Sequence, residues 1–328
     1  NTPTFFALSY FSLYLDYFYP RGGVGKLSEA LQSKIVEFGG EIRSETKITR
    51  VIPGSCVVKD DQNTSYYYKN LVWAADLKTL YKMTETDNLP AKIKTEFSEV
   101  KLKMMKSRGG ESVFTLFLEV DEPIESFGKI SNGHFFYTPS KQGLGETHGK
   151  ALNELLSDFS NVSKEQVLAW LDRFTALNTY EISVPGLKDA ELVPPGKTGL
   201  IVSFLAEYDL FVLIREAGWL DGFILELENR VLGVLTDSIY PMLKDKVIER
   251  FSFSPLSIEN RVGSSKGAIT GWAFQSNMPV INKIQIADRS VITPLPSIYQ
   301  AGQWAYSPAG VPMSILTGKL AANKVIKR

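Results

Sequence analysis

The groups best placed to do chemistry stand near the end of the chain, where Ser297 to Val325 reads as an apolar run, a glycine, a glycine-proline loop and a helix. Ile298 and Tyr299 have the β-branched and aromatic character of a buried strand, and Ala301-Gly302 ends it where a backbone can come close to a ligand. Pro308, Gly310 and Pro312 punctuate the loop. Pro312 suits the opening of the helix that follows, whose N–H groups and positive dipole end point back at the loop. A flat or anionic ligand fits such a turn. An ordinary strand-loop-helix ending accounts for the same residues, and glycine turns alone do not separate the two readings.

Other motifs are tested and set aside. Gly22-Gly23-Val24-Gly25-Lys26 suggests a phosphate loop, but that loop needs glycine where Pro20 stands and Ser or Thr where Leu27 stands. No G-x-G-x-x-G opens a strand-turn-helix unit, so a complete dinucleotide fold does not follow from this chain. There is no G-x-S-x-G elbow, and His134 and His148 without a placed nucleophile make no triad. His134 stands in a strand-like run with Phe135, Phe136 and Tyr137, and His148 in a glycine-rich loop, where structural or solvated roles fit. Cys56 is the lone cysteine, which excludes an internal disulfide and a cysteine-rich zinc site. Glu207, Asp209, Glu216 and Asp221 read as solvated helix faces. No metal site is expected, and no catalytic acid or base is named.

The elements that must hold these residues belong to a chain of 328 residues, 44% hydrophobic and 12% aromatic, which is enough for a large core in one or two domains. Lys and Arg total 36, as do Asp and Glu, so no global field favours nucleic acid or an anionic membrane. No run reaches the ~18 apolar residues of a spanning helix. Phe5 to Tyr19 is dense in aromatics but broken by Asp16 and tyrosines, and reads as a core helix lining an apolar cavity; a shallow interfacial role stays open. The start has no basic n-region or small-residue cleavage site, and it opens at Asn1 inside an apparent element, which suggests a piece of a longer protein. The expected location is the cytoplasm, with contact at a membrane surface left open.

The pattern is mixed α and β throughout, without repeats. After Gly22-Gly23, Leu27, Ala30, Leu31, Ile35 and Phe38 form a helical stripe ending at Gly39-Gly40. Ile42, Ile48, Val51 and Ile52 read as strand. Cys56 to Val58 and Tyr66 to Tyr68 read as a hairpin, and Leu71 to Ala75 as a buried strand. Val113 to Val120 alternates like a half-buried strand, with Gly133 to Tyr137 as its expected neighbour. Ser163 and Gln166 form a capping box before a helix from Val167 to Leu177. Ile182 to Val184, Gly199 to Phe204 and Val247 to Phe253 read as strands, and Trp219 to Ile239 as a long amphipathic helix stopped by Pro241.

Three blocks, in order, carry a resemblance. Tyr19-Pro20-Arg21-Gly22-Gly23 with Leu27, Leu31, Gly39-Gly40-Glu41-Ile42 and Val51, then Ser254-Pro255 to Arg261 with Gly267 to Gly271-Trp272, and then Ala301-Gly302-Gln303-Trp304 with Gly310-Val311-Pro312, Gly318 and Ala321-Ala322, resemble the phytoene desaturase, carotenoid isomerase and retinol saturase flavoprotein family. Gln303, where many flavoproteins carry an acid, is similar to the isomerase and saturase branch. The resemblance implies an α/β (α+β) fold, with a partial FAD-binding Rossmann-like domain and a mixed-sheet and helix substrate domain. Residues 1–19 would be a substrate-domain helix, 20–76 and 290–328 parts of a discontinuous FAD domain, and 77–289 the substrate domain. The glycine fingerprint would precede Asn1, leaving the FAD site incomplete in this chain.

The resemblance also implies roles. Gly302 would approach FAD, with Gln303 near its ribityl or pyrophosphate portion. Gly310, Val311, Pro312 and the Met313 N–H would set the helix dipole under the flavin ring. Val51 would present backbone to the adenine. Gly22 and Gly23 would pass the flavin or its phosphates, a tight helix entry fitting equally. Hydride transfer to or from an apolar polyene or isoprenoid is the implied reaction, and Trp304 and Tyr306 would suit an apolar tunnel as well as plain core. An amine or steroid oxidase, and a non-catalytic lipid-binding protein on the same scaffold, are the alternatives.

Overall fold

The computed structural model describes residues 18–145, 147–273 and 278–327. The helix expected over Phe5 to Tyr19 lies outside them except for Phe18 and Tyr19, and so does the His148 side chain. In chain order the strands are β1 (Ile48–Ile52), β2 (Val57–Asp60), β3 (Ser65–Tyr67), β4 (Leu71–Trp73), β5 (Ser112–Val120), β6 (His134–Tyr137), β7 (Tyr180–Ser183), β8 (Thr198–Ala206), β9 (Val247–Phe253) and β10 (Ile298–Gln300). The described chain divides into two compact units, one of residues 41–111 and 258–327, the other of residues 18–40 and 112–257. The fold is α/β.

The first unit holds an antiparallel sheet β1-β2-β3 and a parallel pair β10-β4. Tight turns make the β1-β2-β3 meander possible. Cys56 enters β2 with a left-handed φ of 52°, and the β2-β3 turn is closed by Asp60, whose carboxylate accepts N–H bonds from Gln62 and Thr64 and the Tyr66 hydroxyl. Helices Leu77–Met83 and Ala91–Lys106 cover this unit's core, where Tyr81 stacks on Phe97 at 5.1 Å between ring centres. Leu77, Leu80, Trp272 and Trp304 join them in burial. Each such side chain contributes about 1.5–3 kcal/mol by leaving water.

In the second unit a five-stranded antiparallel sheet runs β6-β7-β8-β5-β9. Period-2 alternation decides its faces: Phe114, Leu116 and Leu118 of β5 lie with Leu200, Val202 and Phe204 of β8 on the buried side. Helices Lys164–Leu177, Tyr208–Glu216 and Leu220–Thr236 pack on that side, through Phe174, Phe211 and Phe223 among others. The capping box expected at Ser163 is formed, Gln166 reaching back to the Ser163 N–H at 2.8 Å. One expected neighbour is wrong. β6 does not pair with β5; it pairs with β7, in register from His134↔Ser183 to Tyr137↔Tyr180, and β7 and β8 intervene. Nine residues of β8 register against all nine of β5, and β9 takes the other edge, so β5 has no edge left for β6.

The helix expected after Gly22-Gly23 runs Gly25–Glu37 and stops at Gly39, whose φ of 81° only glycine takes without strain. None of its residues is buried. The strand expected around Ile42 is confined to Ile48–Ile52.

Candidate functional site

In the first unit the site-bearing segment begins with β10, which lies parallel to β4 in the register Leu71↔Ile298, Val72↔Tyr299, Trp73↔Gln300. The pairing extends one step further, the Ala301 N–H donating to the Trp73 carbonyl at 2.8 Å. Gly302 follows at φ 80°, and a Cβ there would stand 3.1 Å from the Ala74 carbonyl oxygen. The glycine is needed because two strand ends converge. Its N–H donates to Thr317 Oγ1 at 3.0 Å, and that hydroxyl lies 2.9 Å from the Met313 carbonyl. Thr317 is fully buried, so one hydroxyl clips the end of β10 to the terminal helix Val311–Ile326.

That helix begins at Gly310, with φ 146° and ψ 172°. The Gly310 carbonyl accepts from the Ser314 N–H at 2.9 Å and its hydroxyl at 3.0 Å. Pro312 occupies the first turn, and no acidic residue stands there, so the positive end of the dipole is not offset by a side chain of that turn. Val311 is 65% exposed beside it. Gln303 is half-buried, and its carbonyl is pressed against Gly271, where a Cβ would lie 2.2 Å away. Trp304 and Tyr306 are core residues: both are buried, the Trp272 Nε1–H donates to the Trp304 carbonyl at 2.9 Å, and the two indoles meet edge to face at 4.8 Å. Burial pushes the Tyr306 phenol up.

Val51, in the same unit, is completely buried within β1 opposite Val58, and its carbonyl accepts the Glu85 N–H at 2.9 Å. Thr317 and Asp76 do not stand out in the sequence, and Gly271 does so only as part of the second resemblance block, not as a residue of this site. Asp76 caps helix Leu77–Met83 by accepting from the Thr79 N–H at 2.8 Å, and its second oxygen accepts the Ser265 N–H at 2.8 Å. An Asp immediately before an apolar helical run is the available signal for it.

Gly22 and Gly23 lie in the second unit. They have φ of 80° and 89° and form a turn closed by the Gly23 N–H donating to the Pro20 carbonyl at 3.0 Å. The Gly22 N–H donates to Asp189 Oδ2 at 2.6 Å. This bond, with a second from the Glu191 N–H, holds the Asp189 carboxyl below its ordinary value. Lys188 places its ammonium over the Tyr19 ring at 4.8 Å and donates to Ser183 Oγ at 2.9 Å. Partial burial lowers its pKa.

The structure thus brings together Gly302 and Gly310 to Met313 on one turn and helix, with Thr317 as the joint. Among the described residues no three His, Cys, Asp or Glu side chains could hold a metal, and no helix is long and apolar enough to cross a membrane.

No protein-family model and no curated protein matches the chain. Solved structures do. An oxidoreductase from Methanosarcina mazei superposes with a TM-score of 0.52 at 13% identity, over 94% of this chain and 55% of that one. Wild-type putrescine oxidase bound to putrescine superposes with a TM-score of 0.51 at 13% identity, over 94% of this chain and 54% of that one. The chain spans about half the length of these structures. At such identities the likeness is one of fold, and the fold is that of these oxidoreductases.

Proposed function

We propose that this chain is part of a flavin-dependent oxidoreductase that moves hydride between FAD and a carbon of an apolar polyene or isoprenoid. The observation that supports it most is the β10 turn and terminal helix: a strand ending at Gly302, clipped by Thr317 to a helix whose first turn holds Gly310, Pro312 and no acid. The donor set suits the ring of a flavin. Gly310 leaves the helix start open, since a Cβ at that position would meet nothing nearer than Pro312 Cδ at 3.8 Å, and Val311 and Met313 carry N–H groups at the positive helix end. Bound FAD would supply the hydride chemistry. The chain's own residues would orient the ring, favour negative charge on its pyrimidine side and keep water from the apolar substrate.

Gly302 itself would act by shape, since its N–H is engaged by Thr317. The cofactor contacts that the family resemblance implies for Gln303, Gly22 and Gly23 stay proposals, and the one it implies for Val51 would have to do without that residue's carbonyl, which accepts the Glu85 N–H. The test is the absorption spectrum of the full-length protein, where bound flavin gives bands near about 450 nm. A colourless protein that rejects added FAD would sink the reading. With flavin bound, product analysis on polyene, amine and steroid substrates decides among the three substrate classes.

A further inference from the structure

The sequence holds a single Asn-Gly pair, Asn132-Gly133, and it lies in the second unit on the turn between helix Ile124–Gly128 and β6. Asn132 is exposed, and its side chain makes no hydrogen bond to any described residue. The Gly133 N–H likewise donates to no described residue, although the Gly133 carbonyl accepts the Val184 N–H at 2.9 Å. Two groups that can react with each other are therefore both unengaged: the side-chain amide carbon of Asn132, and the nitrogen of the next residue, which a glycine leaves unshielded. Packing keeps the glycine in place. A Cβ at position 133 would stand 2.9 Å from Lys188 Cγ and 3.4 Å from Leu187 Cβ, so the approach of helix Pro185–Lys188 calls for glycine there. The comparable pair Asp221-Gly222 lies inside helix Leu220–Thr236, whose backbone is held by its own hydrogen-bond ladder.

We propose that Asn132 is a site of spontaneous covalent modification, at which the folded protein acquires an acid and a rerouted main chain. The Gly133 nitrogen gives up its proton to solvent and bonds to Asn132 Cγ, and the bond from Cγ to the side-chain nitrogen breaks, releasing ammonia. Water then opens the resulting five-membered imide at one of its two carbonyls. One opening leaves an aspartate. The other leaves an isoaspartate, whose main chain runs through the former side chain and is one carbon longer. No oxidant or cofactor takes part. The extra carbon enters immediately before β6, an edge strand of four residues that pairs with β7 alone, so conversion loosens the short ladder from His134↔Ser183 to Tyr137↔Tyr180.

The test is incubation of the full chain at neutral pH beside the free peptide of residues 130–141, the segment trypsin releases, with mass spectrometry of that segment and enzymatic methylation of isoaspartate as readouts. The folded chain is expected to convert no more than ~3-fold more slowly than the free peptide, because a site that is already open needs no unfolding to react. Conversion should quicken as pH rises, since the attacking nitrogen must lose its proton. Asn132→Gln, a surface change, should abolish both signals. Once converted, the wild-type chain should exchange the amides of His134 to Tyr137 faster, with β5 and β8 unchanged. A folded chain that stays intact while the peptide converts, isoaspartate undiminished in Asn132→Gln, or β6 exchange the same before and after conversion would overturn the proposal. None of these readouts involves FAD, so the outcome is independent of the flavin reading.

Discussion

Gly271 and Thr317 set the geometry around the terminal turn more tightly than the glycines that first draw attention. At Gly271 φ is 71° and a Cβ would overlap the Gln303 carbonyl oxygen at 2.2 Å, backbone that cannot swing away as a side chain could. Gly271→Ala is expected to cost more than ~3 kcal/mol, read as a lower urea midpoint. Thr317→Val keeps the shape but leaves the half-buried Gly302 N–H without its acceptor, an expected loss of about 1 kcal/mol. A midpoint unchanged from the parent protein would show that the clip is dispensable. Tyr68 titrates at the same scale. Burial first, and the nearby Cys56 second, push its phenol up to about 12. The unfolded phenol, near ~10, ionises earlier. Tyr68 therefore contributes stability in full below that value and loses it as pH rises from the unfolded value to the folded one. Tyr68→Phe should flatten the alkaline limb of a stability-against-pH curve; an unchanged limb would contradict the assignment.

Elements whose signal is local are readable from the chain. The capping box at Ser163 and Gln166, the β2-β3 hairpin around Asp60 to Asn63 and the stop of helix Gly25–Glu37 at Gly39 all rest on interactions within a few residues. Ser163→Ala should lower stability by about 1 kcal/mol through loss of the cap, measured by the same denaturation; no change would mean that the helix start is held by packing alone. Helix Ala91–Lys106 is harder to see in the sequence, although Ile93, Phe97, Val100 and Met104 have helical spacing. Its exposed face mixes Lys, Glu, Ser and Thr so evenly that the stripe shows only once Phe97 is seen against Tyr81. The β6 neighbour is a different kind of miss. Alternation gives each strand's two faces, but strand order depends on pairings between segments far apart in sequence, such as β5 with β8.

At the scale of the molecule two units hold separate cores, one around Leu77, Leu80 and Phe97, the other around Phe114, Leu227 and Val231. Leu80→Ala and Leu227→Ala, each expected to cost about 2–5 kcal/mol, should shift different transitions in scanning calorimetry. A single transition moved equally by both would show that the cores melt together. The sequence by itself determined the α/β class, the places of most strands and of helices Gly25–Glu37, Lys164–Leu177 and Leu220–Thr236, and the strand-turn-helix character of Ile298 to Val325, because periodicity, caps and glycine turns act over a few residues. It also raised Gly302 and Gly310 as candidates. Only the tertiary structure decided that Gly302 is required by Ala74 and engaged by Thr317, that Trp304 and Tyr306 are core, and that Gly133 is required by Lys188. Each of these depends on which distant segment arrives beside the residue, and residue spacing along the chain carries no record of that.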